Sequence, residues 1–144
     1  LFRSGVSQLS GGSRTSVGGY VHEETAEENS AQFDVTDRRT LDEVVSWLLD
    51  LGYIPSFCTA CYREGRTGDR FMTLLKNGQI ANCCLPNALL TLKEYLLDYA
   101  TPETKEKGEK MIQRMLQMVP KEVVRTNASK YLDAIEKGNR DFRF

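Results

Sequence analysis

Four cysteines hold most of the chemistry this chain can offer. Cys58, Cys61, Cys83 and Cys84 fall within 27 consecutive positions, and no cysteine lies elsewhere. Disulfides that staple a domain are usually spread across it, so a tight cluster points to metal or redox chemistry. Cys58-Thr59-Ala60-Cys61 is a C-x2-C pair, in which one backbone turn can aim both sulfurs at a common point. Thiolates are soft donors suited to iron–sulfur clusters, zinc or cuprous copper. A redox dithiol of this spacing usually follows a strand and opens a helix. Here Pro55 precedes the pair and no helix start is evident at it.

A third ligand can come from either neighbour. Cys83 follows Cys61 with 21 residues between, and Cys84 with 22. Zinc takes four ligands and could in principle use all four thiols. Adjacent side chains tend to diverge, however, which makes Cys83 and Cys84 awkward joint ligands of one small tetrahedral ion. Three cysteines and a spare neighbour fit a cubane cluster with one iron free of protein thiolate and open to an outside ligand. The metal-free alternative treats the cysteines as small buried hydrophobes, a common fate of free cysteine. Cys83 is best read that way. In that alternative the helices serve as an interaction surface.

Other residues are secondary. Arg63, Arg66 and Arg70 follow the pair. They would solvate a loop, or offset the negative charge of a nearby cluster and raise its potential, or hold an anionic ligand. Amides of the Thr59-Ala60 turn could hydrogen-bond cluster sulfurs. The single histidine, His22, sits in an acidic stretch with Glu23, Glu24, Glu27 and Glu28 and reads as a surface residue. Met111, Met115 and Met118 could form a soft-metal box, but helical spacing favours core packing. No catalytic residue is assigned.

The elements that must position the thiols are mostly helical. Thr40 and Glu43 form a capping box ahead of Leu41, Val44, Val45, Leu48 and Leu49, and Gly52 suits the stop. Residues 53–65 look irregular. A short helix is expected over 68–76, capped by Thr67, and another from Pro86 through 87–99, with Leu89, Leu90, Leu92, Tyr95 and Leu96 on its apolar face. Thr101-Pro102-Glu103 opens a fourth, which buries Met111, Ile112, Met115, Leu116 and Val119 and ends at Pro120. A fifth covers much of 121–137, before Gly138. Ahead of these, residues 6–10 alternate like a short strand, 11–19 form a Gly/Ser-rich loop, and 20–35 are polar.

Composition excludes several classes. Net charge is -1, with 40% hydrophobic and 27% charged residues. That gives no electrostatic case for nucleic acid or an acidic membrane. No apolar run approaches the roughly 20 residues of a membrane span. The opening Leu1-Phe2-Arg3-Ser4-Gly5 lacks a signal-peptide pattern and an initiator Met. The expectation is a cytoplasmic piece of a longer protein.

A resemblance sharpens this reading. Cys58-Thr59-Ala60-Cys61-Tyr62-Arg63, Gly65-Arg66-Thr67-Gly68, Phe71-Met72, the C-x2-C-x22-C spacing to Cys84, and Pro86-Asn87-Ala88-Leu89-Leu90-Thr91 resemble one region of a known family. That family is the radical S-adenosylmethionine tyrosine lyases that mature the di-iron hydrogenase, and the region is C-terminal. Val6-Ser7-Gln8-Leu9-Ser10, Gly12-Ser13-Arg14-Thr15 and Gly18-Gly19-Tyr20 are similar to the last barrel strand and following loop. The tyrosine lyase of thiamine synthesis shares that strand and loop but lacks the cysteine triplet, so the triplet selects the maturase family.

The resemblance implies a mainly α chain. Residues 1–35 would be the end of a (β/α)8 barrel, and 36–144 a helical auxiliary-cluster domain. It implies a lyase that cleaves tyrosine to p-cresol and dehydroglycine and makes carbon monoxide and cyanide bound to iron for hydrogenase assembly. Cys58, Cys61 and Cys84 would hold the auxiliary 4Fe-4S cluster, whose open iron is bridged to an additional iron. The family's other 4Fe-4S motif, C-x3-C-x2-C, is absent here. S-adenosylmethionine and that second cluster would therefore belong to an N-terminal barrel portion, which becomes this chain's first partner, alongside the hydrogenase maturation proteins. Alone, the chain is not expected to cleave tyrosine. Gly11 stands where the family more often has Ala.

Overall fold

The computed structural model describes residues 39–144. The expected strand at 6–10, the loop at 11–19, the acidic stretch with His22, and the boundary at 35/36 lie outside these residues. The chain divides into a unit Leu1–Val44 and a unit Val45–Phe144.

In the first unit the description begins with the capping box. The Thr40 amide and hydroxyl donate to Glu43 Oε2 at 2.6 and 2.9 Å, and the Glu43 amide donates back to Thr40 Oγ1 at 3.3 Å. These bonds hold the Glu43 carboxyl below its ordinary pKa. They start helix α1, Leu41–Asp50.

The second unit continues α1. Its end is set by Gly52, whose φ of +82° lets the Gly52 and Tyr53 amides turn back to the Leu49 and Leu48 carbonyls. This is the left-handed termination that glycine makes without strain. There follow α2 (Ala60–Arg63), α3 (Gly68–Lys76), a 3-10 turn (Gln79–Asn82), α4 (Cys84–Asp98), α5 (Pro102–Leu116) and α6 (Glu122–Glu136). All regular structure among the described residues is helical, so the mainly α expectation holds. No described helix is long and apolar enough to cross a membrane.

Helix α4 is the centre of the unit and packs on α5 and α6. Leu89, Leu90, Leu92, Tyr95 and Leu96 are all buried, as their spacing requires. Each fully buried leucine contributes roughly 1.5–3 kcal/mol. From α5 come Met111 and Ile112, and from α6 Ala128, Leu132 and Ile135. Val119 is buried beyond the end of α5, while Met115 and Leu116 are partly buried. Met118 points away from this core at 62% exposure, so only two of the three methionines pack there. The Thr101 cap forms as expected, its hydroxyl accepting from the Thr104 amide at 3.4 Å.

Lys93 ties the three long helices together. It is 8% exposed, with Nζ 2.6 Å from Glu109 Oε1 of α5 and paired also with Glu136 of α6. Desolvation works against its charge, but bonding to Glu109 and Glu136 outweighs that and leaves its pKa raised.

Two expectations near the thiols are corrected. A helical turn does start inside the C-x2-C pair, with Thr59 at its cap. Pro86 is the third residue of α4, not the first. A proline fits anywhere in a first turn, because those amides lack helical acceptors. The helix therefore begins two residues earlier and includes Cys84.

Candidate metal centre

The thiols occupy two helix starts. Cys58 lies just before the Thr59 cap, and Cys61 is the second residue of α2. Both are partly buried. The Ala60 amide donates to Cys58 Sγ at 3.4 Å, so one amide of the turn meets a sulfur. Cys83 caps α4 and Cys84 is its first residue. Cys84 is exposed and Cys83 partly buried.

Cys83 is already engaged. Its thiol donates to the Gln79 and Ile80 carbonyls at 3.7 and 3.5 Å. This is a local use of the thiol within the turn that precedes α4. Cys84 behaves differently. Desolvation of the thiol raises its pKa first, followed by the charges of Cys83, Cys61 and Cys58 and a hydrogen bond with Cys83, to about 11. The exposed residue thus carries a thiol set against its neighbours. A helix start favours an anion, but here desolvation and three nearby thiols win.

Cys58 and Cys61 therefore lie within electrostatic reach of Cys84, across 22 intervening residues. Among the described residues, no three His, Cys, Asp or Glu side chains form a ready-made cage for one metal ion. Four sulfurs around a single zinc stand about 3.8 Å apart, given a bond of about 2.3 Å. A cubane is wider, and its sulfur ligands stand further apart. The donor chemistry fits a soft cationic centre, since ionising several neighbouring thiols is unfavourable until a cation joins them. Two buried polar atoms without a protein partner, Arg66 Nε and Asn82 Oδ1, lie on the same two stretches as the thiols.

Each of the three arginines has a partner within the fold. Arg63 makes a two-pronged pair with Asp141, one prong at 2.9 Å. Arg66 Nη2 donates to the Phe144 carbonyl at 2.7 Å. Arg70 Nη1 reaches the Glu64 carbonyl at 3.4 Å. Pairing with Arg63 keeps the Asp141 carboxyl below its ordinary pKa. Two of the three cations are thus committed to residues 141–144, a segment that sequence reasoning left without a role. The available signal was its alternation of charged and aromatic residues, Arg140-Asp141-Phe142-Arg143-Phe144.

In class, this is a mainly α domain whose cysteines lie at the starts of α2 and α4. No family model matches the chain, and no curated protein matches it. Among solved structures it is similar to one described as "Crystal structure of HydG: A maturase of the [FeFe]-hydrogenase". Identity is 51%, the TM-score is 0.86, and 97% of this chain is covered. The chain corresponds to the C-terminal portion of HydG and spans 30% of the length of that chain.

Proposed function

We propose that this chain is the auxiliary-cluster domain of a HydG-type hydrogenase maturase, with Cys58, Cys61 and Cys84 as the ligands of a 4Fe-4S cluster. The reading rests chiefly on the cysteine arrangement: a C-x2-C pair at the start of α2 and Cys84 at the start of α4, with 22 residues between Cys61 and Cys84. The likeness to a maturase at 51% identity supports it. Cys83 is the spare, since its thiol is turned to backbone carbonyls. When bound, such a cluster supplies an iron with no protein sulfur, open to an outside ligand and to an additional iron. The chain's own part is to present three sulfurs, to donate the Ala60 amide to one of them, and to shield the site partially from water.

In the same proposal, the intact protein is a radical S-adenosylmethionine lyase acting on tyrosine. Its S-adenosylmethionine and other 4Fe-4S cluster belong to the N-terminal barrel portion. The carbon monoxide and cyanide it makes, bound to iron, go to the hydrogenase maturation proteins, in the cytoplasm. This chain alone would then be inactive toward tyrosine.

Metal analysis after anaerobic reconstitution with iron and sulfide tests the assignment. About four irons per chain, with brown charge-transfer absorption, is the expected result. One zinc per chain bound in preference to iron would replace the cluster with a structural zinc site. A colourless protein holding neither metal would leave only an interaction domain.

A further inference from the structure

The segment 140–144 joins the two stretches that carry the thiols. On one side it holds the turn after Cys61: Asp141 pairs with Arg63, Arg143 Nε donates to Glu64 Oε1 at 2.9 Å, and the Phe144 carbonyl accepts from Arg66. On the other it holds α4, the helix that begins at Cys84. The Phe144 amide donates to Asn87 Oδ1 at 2.9 Å, and Asn87 Nδ2 donates to the Phe144 carbonyl at 3.3 Å. Further along, the Asp141 amide donates to Glu94 Oε1 at 3.0 Å, and Arg140 pairs with Asp98 at 2.6 Å. Beneath the segment, Tyr131 of α6 stacks on Phe142, with ring centroids 4.6 Å apart.

One atom is the junction. The Phe144 carbonyl receives Arg66, five residues after Cys61, and Asn87, three residues after Cys84. Asn87 is 3% exposed, so its amide group is committed to this contact. Helix α2 has only four residues and cannot hold its own place. On its other side, Phe57 stacks on Tyr95 of α4 at 5.4 Å. The segment therefore completes a two-point attachment of the C-x2-C turn to α4.

We propose that residues 140–144 are a strap that fixes the spacing of Cys58 and Cys61 against Cys84, with Asn87 and Arg66 as positioning residues joined at the Phe144 carbonyl. The role toward a cluster rests on the function proposed above; the spacing of the thiols does not. A metal centre demands ligands held within about 0.5 Å of their working geometry. Partners one step behind the ligands typically change metal affinity about 10–100-fold. The strap meets that requirement by setting the distance between two ligand-bearing stretches and touching no ligand itself.

The test compares Asn87→Ala, the exposed Asp141→Asn, and a core control, Ile112→Ala, on α5. Two readouts are taken on the whole chain. The first is the loss of iron from the reconstituted protein to a chelator. The second uses metal-free protein carrying Cys58→Ser and Cys83→Ser, and measures cross-linking of Cys61 to Cys84 by a short bifunctional thiol reagent. Asn87→Ala should lose iron about tenfold faster and cross-link poorly. Asp141→Asn should move both readouts in the same direction by less, and its exposure protects it from simple misfolding. Ile112→Ala should melt earlier while keeping wild-type iron retention and cross-linking. Wild-type behaviour of both strap variants, or an equal change in Ile112→Ala, overturns the strap. A wild-type chain that binds no iron defeats the cluster assignment instead, and the cross-linking arm still decides the strap.

Discussion

Cys84→Ser should reduce cluster iron from about four per chain to near zero, while Cys83→Ser retains the wild-type amount. The two residues are adjacent, yet the fold gives them different surroundings. Cys84 is exposed at the first position of α4, and its thiol senses both members of the C-x2-C pair. A serine hydroxyl is a hard, neutral donor at working pH and does not replace a thiolate on iron. Cys83 spends its thiol on the carbonyls of the preceding 3-10 turn, at 3.5 and 3.7 Å. Serine can make the same donation. The measurement is iron and sulfide per chain, with melting curves to confirm folding. Equal loss in both variants would mean four protein thiolates, which is the zinc arrangement.

The second large effect concerns stability. Gly108→Val should lower stability by about 3 kcal/mol, at the upper end of the usual cost of overpacking. A Cβ at this position would lie 2.4 and 2.6 Å from the two terminal carbons of Leu96 and 3.0 Å from its Cγ. Leu96 is only 1% exposed, so it has no free space to turn into. Valine adds two further carbons beyond the Cβ. The gain in helix preference over glycine is a few tenths of a kcal/mol and does not offset this. For a unit of about 100 residues, the melting temperature should fall by roughly 12 °C or more. Melting within about 2 °C of wild type would show that α4 and α5 do not approach as closely as described.

The parts of this molecule governed by local rules were legible in the sequence. The Thr40–Glu43 box, the Gly52 stop, the Thr101 cap and the leucine face of α4 all follow from short-range spacing, and each is found. Failures came where distant residues decide. Nothing local to Arg63 or Arg66 indicates that their partners lie 78 residues away. Met118 fits the helical spacing of Met111 and Met115, but α5 ends at Leu116 and leaves it outside the core. Pro86 suggests a helix start two residues later than the Cys84 start of α4, because any first-turn position accepts proline and the residue alone does not say which. For the site itself, spacing identified the four candidate thiols. The resemblance already set Cys84 apart from Cys83; what a sequence does not display is that the Cys83 thiol donates to the carbonyls of the preceding turn.

The most direct measurement is iron-edge X-ray absorption on the anaerobically reconstituted wild-type chain. Iron surrounded by sulfur, with a clear iron–iron scattering shell, is the result this account predicts. Iron bound mainly by oxygen or nitrogen, with no iron–iron shell, would contradict a cluster held by Cys58, Cys61 and Cys84.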